Sequence, residues 1–382
     1  MSNNFIGIGK CSRFYLYIIG YLLSSLFQKF LINIEDKKNG KGLLFFSPIL
    51  NDHKLIQYLY KYFSFIIFGF FSFYITQKNT KKETISEIKK TNTKNRELIY
   101  NDIFKISKKD MALFFIISLI YIIVPLSISI IRYFGFDELI LWTADIVFIV
   151  LLMNHYFPKP SYKHQKYSII FVVIIDSIIL ISITFIKNSN DNKNIYMKKN
   201  IYICIIIIFL YIMLSFSFSF ARINIKILYE FKYLSPYKII GFLGIIGFIL
   251  IFILSIIFSN LFNKENCKDD NLYFFCYDKI SNYFINLNKR KNGNNKNYFY
   301  LEILIITPLY IFLNFISFTC EIFTIIYLNP NYIILSENLH YGILRIISFC
   351  INSNKRSIVK FILLGLADIM EFLGCIIYLE IY

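Results

Sequence analysis

The chain has one tryptophan, four histidines and 24 acidic residues in 382, so the residue types that do most enzymatic chemistry are thinly supplied. It has no His-Glu-x-x-His, no Gly-x-Ser-x-Gly and no Gly-x-x-x-x-Gly-Lys, which removes the zincin, hydrolase-elbow and phosphate-cradle chemistries. His155, in Asn154-His-Tyr-Phe, stands alone at the end of an apolar run. A solitary histidine there reads as structural rather than as the histidine of a membrane acyltransferase. We therefore expect no enzymatic activity, no metal and no cofactor. Five of the seven cysteines (Cys11, Cys204, Cys320, Cys350 and Cys375) lie in or beside apolar runs and read as small hydrophobes. No small-residue cleavage site follows the first apolar run, near Phe14 to Ile32, so that run is expected to stay as a helix.

What the chain has in excess is apolar surface. Soluble domains average about 45–50% apolar residues, and here the figure is 57%, with a mean hydropathy of +0.56. The excess recurs in runs of about twenty residues, each long enough to cross a hydrocarbon layer of about 30 Å. Plentiful Asn, Lys, Ile, Tyr and Phe look like the background of an A/T-biased coding sequence, so positions inform more than counts. The formal charge of +17 gathers in loops such as Lys78 to Lys109, where it suits anionic lipid headgroups. No nucleic-acid reading module accompanies those lysines, and nucleic acid is not an expected partner.

These runs predict an all-α integral membrane protein with about ten spans, at 12–33, 56–76, 110–131, 138–157, 167–187, 200–220, 237–260, 298–325, 332–352 and 358–380. The longest polar connections, Lys78–Lys109 and Asn260–Asn297, read as surface loops. Sliding the chain along itself by 192 residues brings spans into register, sets Asp145 on Glu337 and Asp176 on Asp368, and sets Lys163-His164 on Lys355-Arg356. That pattern suggests two five-helix halves, 1–190 and 191–382. An odd number of spans per half makes the second enter the membrane from the opposite side, giving an inverted repeat. A biased alphabet makes such coincidences easier, and the positive-inside rule does not decide the orientation.

Ten spans in inverted halves resemble the drug/metabolite transporter superfamily, including its EamA-like members. The segment Tyr233-Leu-Ser-Pro-Tyr-Lys-Ile-Ile-Gly-Phe-Leu-Gly-Ile-Ile-Gly-Phe248 is similar to the solute carrier family 35 pattern of a Pro-containing turn followed by glycines. Leu328-Asn-Pro-Asn-Tyr-Ile-Ile-Leu-Ser-Glu-Asn-Leu339 resembles its entry to the ninth span, Phe361 to Glu380 its last helix, and Tyr162-Lys-His-Gln-Lys166 its entry to the fifth. There are departures: the sixth span ends in Arg222 rather than an acidic pair, and Asp368 and Glu371 interrupt a usually apolar last helix. The resemblance implies alternating access around a central cavity and exchange of a polar small molecule across an endomembrane (Golgi, endoplasmic reticulum, vacuole or lysosome-like). The range includes nucleotide sugars, other phosphorylated metabolites, amino acids and peptides. It also implies a lumenal loop after the seventh span, where Cys267 and Cys276 would meet an oxidising compartment. A disulfide between them is expected only with that orientation.

A carboxylate at bilayer depth costs about 2.5–3.5 kcal/mol on insertion scales, so each is a candidate site. Asp145 and Asp176 are the best placed, for substrate or proton, against packed polar contacts as the plainer reading. Glu321, Glu337, Asp368 and Glu371 form a second set, and Arg345 is placed to pair with one of them or to grip an anion. Pro125 and Pro308 fall in corresponding spans and would kink two gates. Gly241, Gly244 and Gly247, three apart, line one face for close helix packing. Ser215, Ser217 and Ser219 alternate with Phe, a spacing of two that scatters them around a helix. The expected partners are a small-molecule substrate and the bilayer, with a homodimer left open. A membrane-embedded lipid or glycan transferase and a non-transporting receptor or scaffold stand as alternatives.

Overall fold

The computed structural model describes residues 8–33, 54–88, 106–133, 139–157, 164–171, 173–174, 201–261, 302–328, 330–351 and 358–379, with isolated positions at 284, 285, 288 and 300. No strand occurs among the described residues. Nine α-helices are delimited: α1 (Ile8–Asn33), α2 (Lys54–Ile88), α3 (Lys108–Tyr133), α4 (Leu139–Tyr156), α5 (Ile201–Glu230), α6 (Pro236–Leu261), α7 (Thr307–Tyr327), α8 (Asn331–Ile351) and α9 (Ile358–Leu379). A π-helical turn, Glu302–Ile306, leads directly into α7. Nine of the ten expected spans coincide with these helices, and the span expected at 167–187 lies beyond the described residues after 174.

Five stretches are long and apolar enough to cross a membrane: Leu55–Thr76, Lys108–Ser127, Ile212–Glu230, Pro236–Ile257 and Ile303–Tyr327. A 22-residue stretch such as Pro236–Ile257 rises about 33 Å at 1.5 Å per residue, enough for the hydrocarbon layer. Ile and Phe are mediocre helix formers in water. In hydrocarbon the choice is different, because every backbone polar group must be satisfied within the segment. The outward surfaces agree: on α2, Phe63, Ile67, Phe71 and Tyr74 form an exposed stripe at helical spacing, and on α6 Ile249, Phe252, Ile253 and Ile256 do the same. Large apolar side chains in continuous exposed stripes fit contact with lipid tails.

Helix ends are written in the sequence. Ser107 caps α3, its Oγ accepting from the Asp110 amide (3.2 Å) and donating to the Asp110 carboxylate (2.6 Å). Ser235 caps α6, accepting from the Lys238 amide (3.2 Å), and Pro236 occupies the first helical position, where its missing N–H costs nothing. Before that cap, Tyr233 adopts φ 53°, and the Leu234 amide reaches back to the Leu228 carbonyl (3.2 Å), closing α5 in the left-handed manner usually left to glycine.

Two expectations need correction. The segment Lys78–Lys109 is not loop throughout, since α2 continues to Ile88. Likewise α5 does not stop near 220 but runs to Glu230, because polar side chains that seemed to mark a membrane exit find partners inside the protein. Asn224 donates to the Phe220 carbonyl (2.8 Å), and Lys226 donates to the Leu328 carbonyl just past the end of α7 (3.1 Å), where a cation suits the helix dipole.

Among the described residues there are two compact units. One is drawn from Met1–Leu26, Ile120–Lys226 and Phe323–Tyr382, the other from Phe27–Leu119 and Ile227–Ile322, so both take residues from either side of 190. In the second unit α2 packs along α6. Gly241 lies against the Phe70 ring and Gly69, Gly244 against the backbone of Phe65 and Ile66, and Gly247 against the ring of Tyr62. The three glycines thus form the face on which α2 rests. In the first unit α8 packs against α4 and α9, and α4 touches α9.

A methyl group at Gly244 would stand 2.8 Å from the Ile66 amide nitrogen, backbone that cannot swing aside. Gly244→Ala should therefore lower stability by about 1–3 kcal/mol, read from thermal unfolding in micelles. Gly365→Ala, with nothing within 4 Å of the added carbon, should not. Equal loss in both variants would refute this packing.

Candidate functional site

The first unit holds a buried ion pair. Arg222 on α5 is 0% exposed and Glu337 on α8 is 4% exposed, and the guanidinium Nη2 donates to Glu337 Oε1. Tyr21 on α1 donates its hydroxyl to the same oxygen at 3.2 Å. The guanidinium carbon also lies 4.1 Å from the ring centre of Phe218, one turn earlier on α5. An aromatic face is a fitting wall for a desolvated guanidinium, whose planar charge the ring quadrupole attracts. Three helices therefore converge on one carboxylate oxygen.

The reason α5 can present an arginine inward lies in its repeat. Ser215, Ser219, Arg222 and Lys226 are spaced four, three and four apart, and all four are buried. This puts them on one helical face. Ser217, two residues from either serine, instead donates to the Met213 carbonyl of its own helix (2.8 Å). The spacing of two that scatters the serines is real, but the spacing of four within it assembles a polar stripe. On α8, Ser336, Glu337 and His340 are buried within about a turn of one another, and Ser336 returns its hydroxyl to the Tyr332 carbonyl (2.7 Å). Tyr17 on α1, one turn before Tyr21, meets the ring of Phe323 edge-on at 5.1 Å, which helps hold α1 beside the pair.

Of the residues singled out from sequence, Glu337 stands in this site. Glu337 pairs with Arg222, and the pairing of Arg345 with one of Glu321, Glu337, Asp368 and Glu371 lies outside the described residues. Asp145 lies on α4, Arg345 on α8 and Asp368 on α9, and their side chains lie outside the described residues, as do Asp176, Cys267 and Cys276 altogether. Pro125 sits within α3. Pro308 does not sit in mid-span: it is the second residue of α7, immediately after the π turn. Proline cannot donate to the carbonyl four residues back, and the wider turn occupies the stretch that contains that carbonyl. Gly241, Gly244 and Gly247 lie in the other unit, on the α2 face.

Arg222 and Tyr21 were missed. Arg222 looked like a departure at the end of a span. The signal that would have found it is the polar stripe running through it, continuous with serines well inside the apolar run. Tyr21 carries no such signal, being one of 30 tyrosines in the chain. Among the described residues, no three His, Cys, Asp or Glu side chains gather as a metal ion would require.

Removing one partner of a buried pair strands the other charge, at a cost of about 3–5 kcal/mol, whereas removing both is often nearly neutral. Arg222→Gln and Glu337→Gln should each lower the thermal unfolding midpoint sharply, and the double variant should recover most of the loss. A double variant that is as unstable as the sum of the singles would show that the two charges do not interact.

Neither a protein-family model nor a curated protein matches the chain.

Proposed function

We propose that the chain is a secondary transporter that carries a polar small metabolite across an endomembrane by alternating access, in the manner of the drug/metabolite transporters it resembles. The observation that carries the reading is the placement of Arg222 and Glu337: opposite charges buried between helix α5, which carries an apolar stretch of spanning length, and helix α8. Charges at that depth are expensive, and in membrane proteins they commonly mark the path of a solute or ion. Five apolar stretches of spanning length supply the multi-pass frame that such a path needs.

In this proposal the halves 1–190 and 191–382 are inverted repeats, and Asp145, Asp176, Arg345 and Asp368 contact the solute or its coupling ion. Pro125 and Pro308 mark places where the helices yield. The chain moves its solute unchanged and has no catalytic residue.

Purified protein in sealed proteoliposomes should show saturable uptake of one class among nucleotide sugars, phosphorylated metabolites and amino acids. Asp145→Asn or Arg345→Ala should cut that uptake about tenfold or more, equivalent to about 1.4 kcal/mol of lost interaction, without altering elution on gel filtration. Ligand binding without flux would make the chain a receptor or scaffold instead. A new product formed on lipid acceptors would make it a transferase.

A further inference from the structure

While paired, Arg222 and Glu337 neutralise one another. Their geometry also suggests what happens when the pair opens. Glu337 Oε1 accepts from both Arg222 Nη2 and the Tyr21 hydroxyl, so one carboxylate oxygen is shared between a guanidinium and a phenol. A guanidinium holds phosphate or carboxylate oxygens in a planar fork. The Glu337 carboxylate therefore occupies, from within the protein, the place that an external anion of the same chemistry would take. The Phe218 ring at 4.1 Å stays with the guanidinium in either case, since both lie on α5. Ser215 and Ser219 lie on the same buried face of α5 as Arg222.

We infer that Arg222 is the anion-binding group of the transport site and that Glu337 is its built-in competitor, exchanging the arginine for a proton when a carboxylate- or phosphate-bearing solute binds. The inference rests on the transporter reading for its biological sense but not for its test. Charge accounts for the proton. A carboxylate displaced from its cation into a low-dielectric interior is disfavoured as an anion. Protonation restores neutrality for one bound carboxylate or one phosphate charge: one proton from the buffered solvent goes to Glu337, one negative charge of the solute goes to Arg222, and that exchange leaves the net charge at the pair unchanged. Tyr21 can donate to the Glu337 carboxylate or accept from its protonated form, so that hydrogen bond survives in both states.

Other titratable groups near α8 belong in the same account. His340 lies one turn along α8 and is buried, and Lys226 on α5 is held by the Leu328 carbonyl. Helices α4 and α9, which pack on α8, carry Asp145 and His155, and Asp368 and Glu371. His155 is exposed, and the three carboxyl side chains lie outside the described residues. The Glu337→Gln comparison separates the Glu337 proton from all of theirs.

The test uses the full chain in nanodiscs of zwitterionic lipid, titrated calorimetrically with succinate and with inorganic phosphate at neutral pH, in two buffers of different ionisation enthalpy. Wild type should bind at least one of these anions and take up about one proton per succinate bound, succinate itself remaining ionised. Glu337→Gln, with the competitor gone, should bind more tightly without that proton. Arg222→Gln should bind neither anion, and the Arg222→Gln/Glu337→Gln double variant, which retains packing without charge, should bind neither while eluting as a folded species. Failure of Glu337→Gln to bind either anion overturns the proposal, as does unchanged binding in the double variant or a proton count unaffected by Glu337. If nanodiscs containing phosphatidate abolish the response, the site belongs to a lipid headgroup and the solute assignment falls. Flux separates the two readings: binding with proton uptake but no transport refutes the transporter, whereas transport with no anion bound at Arg222 refutes this site alone.

Discussion

A polar group inside hydrocarbon has no water to turn to, and each one in these helices must find its partner in the protein or in its own backbone. The hydroxyls of α1, α2, α6 and α8 mostly take the second route. Ser24 donates to the Gly20 carbonyl, Ser64 to Lys61, Ser255 to Phe252 and Ser336 to Tyr332. These serines are self-contained and hold no helices together. Side chains too long or too charged to fold back must cross to a neighbour, and they decide which helices meet. Lys226 ties α5 to the end of α7, Tyr21 ties α1 to α8, and Arg222 ties α5 to α8.

The two compact units solve helix packing by opposite means. Around α2 and α6 the solution is the absence of side chains: three glycines let one backbone approach another until ring and backbone atoms fill the space, with Phe70 and Phe114 closing on Phe242 at 5.7 Å. Close backbone approach of this kind gains dispersion contacts that lipid cannot match, and it leaves nothing to titrate or exchange. Around α5 and α8 the contact is charge on charge. The first arrangement is suited to holding, the second to changing state.

What could be read from the sequence follows the same division. Spans were legible because hydrocarbon thickness imposes a length: nine of the ten expected stretches coincide with helices, and five of the described stretches are long and apolar enough to cross a membrane. The glycine face was legible because a spacing of three on a helix has one meaning. The course of α5 beyond 220 was not, since Arg222, Asn224 and Lys226 carry the signature of a membrane exit, and only tertiary partners show that they stay inside. The same holds for Lys78 to Ile88, whose charges suggested a loop where the helix continues. Pro308 gives a third instance: its position relative to the apolar run suggested a mid-span kink, but the irregular backbone falls just before it, in the π turn. Partner identity was the least legible of all. Arg345 shares α8 with Glu337, and the cation that meets this carboxylate comes instead from α5, a choice set by which face of α5 turns toward α8.

A buried ion pair is a poor device for stability, since two well-packed apolar side chains of similar volume commonly hold helices as well or better. If α5 and α8 needed only to adhere, glycines or leucines would serve, as the α2–α6 contact demonstrates in the same chain. The hydrogen bonds from Arg222 and from Tyr21 both reach the same carboxylate oxygen of Glu337. An arrangement that contributes little net stability, at a depth where charge is costly, makes physical sense when its two members are required apart as well as together. Separation of α5 from α8 exposes a cation on one helix and an acid on the other. Under the transport reading proposed above, those are the two groups by which one motion would carry an anion and a proton.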